Sequence, residues 1–270
     1  MGPNSRALIE SVSGADLSNA AFPFATSREI ELGHAIVRAS RISYVGELGW
    51  ELLIPRYQGH KKNNENVRRV FEALWEAGQV FGIRPMGLYA YRGPLRMEKS
   101  FPLHGAQSDI NVEHSLVSSG ALKNQFMFDG DDVMSQVKDR DYIGSPAVRN
   151  QLRQETFPEE IICTLMIRGS NRVLVSSGNY PIFVPGTRTQ VSYSLNGAAR
   201  NSYTTSAASA YTLSEQEGEE IVLARAYLPP EYAQIGAKVE ISYFQNRIPA
   251  TVVVVGTAPL YDPENTYTRG

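Results

Sequence analysis

"IVLARAYLPPEYAQIGAKVEISYFQNRIPATVVVV", residues 221–255, decides what the second half of this chain is. Three runs, 221–228, 237–244 and 248–255, are dense in β-branched and aromatic residues, and turn-type residues separate them. Such runs read as strands. Working back toward the N-terminus, "TQVSYSL" (189–195), "YPIFV" (180–184), "RVLVSS" (172–177) and "EIICTLMI" (160–167) repeat the pattern. Short strands in close succession predict an antiparallel barrel or a sandwich. The acidic "SEQEGEE" (214–220) reads as a solvated hairpin tip, and "SYTTSAASAYT" (202–212) fits a strand and turn as well as disorder. The polar "QLRQETFPEE" (151–160) reads as a seam, so we expect domains at 1–155 and 156–270.

The first half is different. "NSRALIESVSG" is a short helix pattern closed by Gly14, and "NENVRRVFEALWEAGQ" (64–79) spaces Val67, Val70, Phe71 and Leu74 as an amphipathic helix ending near Gly78. A further helical pattern from Met86 to Lys99 is interrupted at Gly93-Pro94. Proline removes a helix hydrogen bond and clashes with the preceding turn, which predicts a break there and a fresh turn beyond it. The class is therefore α+β.

Between these helices lies "RISYVGELGWELLIP" (41–55), entered through "IVRA" (36–39). Gly46 and Gly49 suggest a four-residue loop between two strands, which would set Tyr44 beside Glu51 on one face. A buried carboxylate among such apolar neighbours would cost several kcal/mol unless compensated. Either a donor of the protein or a ligand must answer Glu51.

The bulk numbers exclude much. The chain has 270 residues, 42% hydrophobic and 20% charged, with a net charge of −2. That is the profile of a soluble globular protein with no basic excess for nucleic acid. His60-Lys61-Lys62 reads as a solvated loop. No apolar run approaches the roughly 20 residues of a membrane span, and the N-terminus lacks the apolar core of a secretion signal. The single cysteine, Cys163, allows no internal disulfide and favours a reducing compartment; its apolar run makes it a packing residue. Four scattered histidines give no metal site, and His104 reads as a surface-loop residue. No dinucleotide fingerprint, phosphate loop or nucleophile elbow is present.

Five stretches in order, "GPNSRALIESVSGADLSNAAFPF", "RISYVGELGWELLIP", "LRMEKSFPLHG", "YIGSPAV" and "ARAYLPPEYAQIGAKVEISYFQNRIPATVV...PLYDP", resemble the tetrahydrofolate-dependent aminomethyltransferase family. That family holds the glycine cleavage T-protein and the folate half of dimethylglycine and sarcosine dehydrogenases, and the wording is closer to the dehydrogenases. The resemblance implies a folate-binding α+β domain followed by a small antiparallel β-barrel. It implies pterin binding by Tyr44 and Glu51, the carboxylate accepting two ring-edge donors at once. It implies a folate contact at Arg92, four residues before Arg96, while Arg96 pairs structurally with Glu98. In the family a further third precedes the Gly-Pro motif and supplies an aspartate beside the reacting nitrogen. We expect the folate domain to be N-terminally incomplete, and we assign no catalytic residue. Asp16 reads as a turn or cap residue, and 115–135 fit the family poorly.

The expected function is a tetrahydrofolate-binding one-carbon transferase part of a glycine-cleaving or dimethylglycine- or sarcosine-demethylating system. The alternatives are a non-catalytic folate-binding or assembly module, or an inactive fragment. Expected partners are folate, a one-carbon donor derived from methylated glycine, and a separate flavin oxidoreductase domain. No flavin site, metal, nucleic acid or membrane is expected for this chain, which is placed in a bacterial cytoplasm or a mitochondrial matrix.

Overall fold

The computed structural model describes residues 1–55, 65–101, 141–146, 149, 160–168, 180–201, 220–243, 246–256 and 258–270. The contacts divide the chain into two units: Met1–Gly87 with Glu264–Gly270, and Leu88–Pro263. The seam expected at 151–160 lies outside the described residues apart from Glu160, as do 115–135, His60, His104, "RVLVSS" and the 202–212 stretch.

In the first unit, helix α1 (Ser5–Ser13) ends where the sequence places the stop. Gly14 takes φ 64° and its N–H returns to the Glu10 carbonyl, a left-handed cap that only glycine adopts without steric penalty. A three-stranded antiparallel sheet follows in the order β1 (Ser27–Leu32), β2 (Ala35–Ser40), β3 (Glu51–Leu53). The β1–β2 turn is the pair Gly33-His34, both with positive φ, the geometry a two-residue hairpin loop needs to match strand twist. Helix α2 (Glu65–Gly78) buries Val70 and packs Leu74 against the core. Val67 and Phe71, two of the four residues expected on the core face, are instead exposed, and Phe71 stacks on Trp75 at 6.0 Å. The core of this unit is Ile9, Leu17, Phe22, Ile30, Leu32, Val37, Ala39 and Val70, with Ala35 beside them.

The second unit opens with the helical pattern that the sequence breaks at Gly93-Pro94. A short α-turn (Leu88–Ala90) runs into a π-turn (Tyr91–Leu95), Gly93 leaves helical geometry at φ −93°, ψ −110°, and a new turn covers Arg96–Glu98. The expected break and restart are both present. The strands β4 (Ile161–Arg168), β5 (Pro181–Phe183), β6 (Gln190–Asn201), β7 (Glu220–Leu228), β8 (Lys238–Tyr243) and β9 (Asn246–Val255) close an antiparallel barrel in the order β4-β7-β6-β5-β8-β9. Of the two all-β arrangements the sequence permits, the chain forms the barrel. Alternation fills its interior: Val239 and Ile241 from β8, and Ala250, Val252 and Val254 from β9, are buried. Cys163 sits in that core, and burial pushes its thiol up to about 12, against the opposing pull of the Arg225 charge.

Candidate functional site

The strand register places Glu51 differently from the sequence expectation. β2 and β3 pair as Ser40↔Glu51, Ala39↔Leu52 and Arg38↔Leu53, so the connection runs from Arg41 to Trp50 rather than through four residues. Residues 41–45 form no strand, and Tyr44 is not the cross-strand neighbour of Glu51. The reason is in the side chains of the loop. Val45 and Leu48 are buried, which draws the loop into the core instead of leaving it as a flat ribbon. The Arg41 N–H donates to the Thr26 carbonyl at 2.9 Å, which carries the pairing with the β1 side one residue beyond β2.

The loop is held at several points. Ser43 Oγ accepts from the Gly46 N–H at 2.9 Å, a local turn that competes with strand pairing. The Leu48 carbonyl accepts from the Gly2 N–H at 2.8 Å and from Ser5 Oγ at 3.1 Å. Thr268 Oγ1 donates to the Gly46 carbonyl at 2.6 Å. Arg41 itself is buried, and its guanidinium donates to the Phe22 carbonyl at 2.6 Å and to that of Arg269. Burial, and then the neighbouring Arg6 charge, lower its pKa. Nothing in the sequence marked Arg41 as a buried residue, because a lone arginine in a strand-like run reads as exposed.

On this frame Trp50 and Leu52 turn toward the core, with Trp50 edge-on to Phe22 at 6.2 Å. Glu51 and Leu53 turn the other way, and both are exposed. The expected burial of Glu51 is therefore corrected: strand alternation turns its carboxylate to the exposed face of the sheet. Its row across the sheet reads Ser27, Ser40, Glu51, and the next row reads Glu29, Arg38, Leu53. Ser40 Oγ donates to Ser27 Oγ at 3.0 Å, and Arg38 pairs with Glu29 at 3.1 Å. Leu53 is 69% exposed and Ile36, on the same face, 55%. The outer face thus offers a carboxylate, two hydroxyl-bearing neighbours and apolar surface together. Tyr44 is half-buried on the pinned loop of the same unit.

Arg92 belongs to the second unit, in the π-turn, where its carbonyl accepts from Arg96 Nε at 2.7 Å. Arg96 and Glu98 are buried, and Arg96 also donates to the Phe101 carbonyl. Asp16 holds a turn, its Oδ1 accepting from the Ser18 N–H at 2.9 Å, and that bond lowers its pKa. No group of three metal-ligating side chains gathers among the described residues.

This arrangement can be set beside known proteins. Residues 1–121 match the GCVT N-terminal domain. The matched stretch is just under half of the chain. It contains the whole Tyr44-to-Glu51 segment and Arg92. The mitochondrial dimethylglycine dehydrogenase of Rattus norvegicus is 28% identical over 268 residues, 99% of this chain and 26% of that protein. The mitochondrial sarcosine dehydrogenase of Homo sapiens is 36% identical over 138 residues, 50% of this chain and 14% of that protein. The chain spans about a quarter of the length of the dimethylglycine dehydrogenases it matches. Among solved structures, the glycine cleavage system aminomethyltransferase T from Bartonella henselae superposes with a TM-score of 0.62 at 17% identity, over 95% of this chain and 57% of that one. At that identity the likeness shows the fold, which matches the α+β architecture and barrel described above. The chain is thus similar to the dimethylglycine dehydrogenases over nearly its whole length and to the sarcosine dehydrogenases over half of it.

Proposed function

We propose that the chain binds tetrahydrofolate at the outer face of the three-stranded sheet and supplies the one-carbon-accepting part of a methylated-glycine-demethylating or glycine-cleaving system. The observation that carries this reading is Glu51, exposed beside the exposed Leu53 within the segment that matches the GCVT N-terminal domain. The pyrimidine ring of a reduced pterin is flat and carries an N–H and an amino group on one edge. Its face can cover Leu53 while both donors point at one carboxylate, a charge-assisted bidentate pair. Tyr44, on a loop fixed by main-chain hydrogen bonds, is the proposed aromatic partner of the ring.

Arg92, in the second unit, is a proposed folate contact through its planar guanidinium, and its test stands separately from that of Glu51. The one-carbon donor on this reading is a methylene unit released from a methylated glycine, delivered by a flavin oxidoreductase domain. No residue of this chain is assigned to the proton transfer that accompanies the carbon's departure from the amine.

Calorimetric titration of the chain with tetrahydrofolate tests the reading. Saturable binding at the sheet face is expected, weakened by Tyr44→Ala by about five- to fiftyfold, the loss of one ring contact; Arg92→Ala is titrated by itself, and an unchanged affinity would remove Arg92 alone from the reading. A chain that melts cooperatively yet takes up no tetrahydrofolate would overturn it.

A further inference from the structure

The opposite side of β3 carries a second feature. A cavity of about 580 Å³ opens there, lined by Leu8 of α1, Trp50, Leu52, Leu74 of α2, Phe81 and Ile83. Protein interiors leave few voids larger than a water molecule, and this space falls within the roughly 300–1,000 Å³ of small-molecule sites. It is separate from the folate face, because alternation sends Trp50 and Leu52 into it and Glu51 and Leu53 away.

The charge of its wall is one-sided. Among the described residues lining it, Arg84 has the only charged side chain, the Met1 α-amino group is a second basic group, and there is neither aspartate nor glutamate. Arg84 is exposed and has no carboxylate partner among the described residues. An apolar floor with one unspent guanidinium on its wall is complementary to a molecule with an apolar body and a single anionic end. Guanidinium takes a carboxylate in a planar, two-pronged bond, so a carboxylate head group suits it best.

We propose that this cavity binds a small amphipathic carboxylate, its apolar body among Leu8, Leu52 and Leu74 and its head group on Arg84. The inference goes beyond the folate reading and does not depend on it. Octanoate and its neutral analogue octanamide, titrated calorimetrically into the whole chain, test it. Octanoate binds at one site per chain, and Arg84→Gln weakens it about tenfold while leaving octanamide unchanged. Leu74→Trp fills the cavity and abolishes binding of both, whereas Glu51→Gln moves neither. Leu8→Phe serves in place of Leu74→Trp should the latter fail to melt cooperatively. Absence of octanoate binding, or binding indifferent to Arg84→Gln, overturns the proposal. So does a dimer in sedimentation that the cavity-filling variant dissolves, since the cavity would then be an interface between copies.

Discussion

Glu51 shows how a residue can be singled out in a sequence and yet be placed by the wrong geometry. A carboxylate in an apolar run is visible in the sequence, and so is its distance from Tyr44. What the sequence hides is the length of the connection, because Gly46 and Gly49 suggest a tight turn while Val45 and Leu48 are core residues of a longer loop. Burial also sets the strongest titration shift among the described residues. Cys163 is held up to about 12 in the folded chain against an ordinary value of 9.0, so the unfolded chain loses its thiol proton first as pH rises. The stabilisation is complete below pH 9.0 and drains away between there and about 12. Urea unfolding of the parent and of Cys163→Ala at about pH 8 and about pH 10.5 should show the gap between them narrowing, by up to about 1.4 kcal/mol per pH unit. A gap that stays constant would show that the thiol does not titrate differently in the two states. Native Cys163 should also resist thiol reagents until the chain unfolds, since the thiolate is the reactive form.

At the scale of elements, hydrophobic period and punctuation carry most of the information. Both amphipathic helices, the break at Gly93-Pro94, and the strands β4 to β9 follow from spacing together with Gly and Pro placement. β1 was not legible, because "SREIEL" is short and half charged and its turn, Gly33-His34, depends on a histidine at φ 62°. Which side of α2 would stay exposed was not legible either, since Phe71 and Val70 are equally apolar and only tertiary packing separates them. The caps are simpler to test. Gly14→Ala meets no neighbouring atom within 4 Å, so its effect is the left-handed φ alone. It should destabilise the chain by about 1 kcal/mol, read as a lower thermal midpoint. An unchanged midpoint would mean that the helix end unwinds freely and that the cap adds nothing.

At the scale of the whole molecule, each unit is tied together by contacts far apart in sequence. In the first, residues 264–270 return to the front of the chain, where Asn19 Nδ2 donates to the Gly270 carbonyl at 2.5 Å. In the second, the segment after the helix break is fastened to 258–262: the Leu260 and Tyr261 N–H groups donate to the Glu98 carbonyl at 2.7 and 3.0 Å. Lys99 Nζ, fully buried, donates to the main chain of Tyr261 and Asp262 and lies 3.4 Å from the Asp262 carboxylate. Removing one member of a buried pair leaves the other charge without its counter-ion. Lys99→Met should lower unfolding stability by about 3–5 kcal/mol, and adding Asp262→Asn should restore part of that. No restoration would mean that the main-chain bonds, not the charges, hold the segment. These long-range ties are invisible in sequence because neither partner has a local signature.

The central claim, that the Glu51 carboxylate receives the pterin edge, is tested most directly by comparing two ligands. Tetrahydrofolate carries the pterin, and p-aminobenzoylglutamate carries only the tail. Glu51→Gln replaces one acceptor oxygen with a donor facing a donor, whereas Glu31→Gln makes the same change at an exposed position on β1. Calorimetric titration should show tetrahydrofolate weakened roughly ten- to a hundredfold by Glu51→Gln alone, with affinity for p-aminobenzoylglutamate unchanged in both variants. Equal effects of the two substitutions on tetrahydrofolate, or an equal loss for both ligands with Glu51→Gln, would contradict the account.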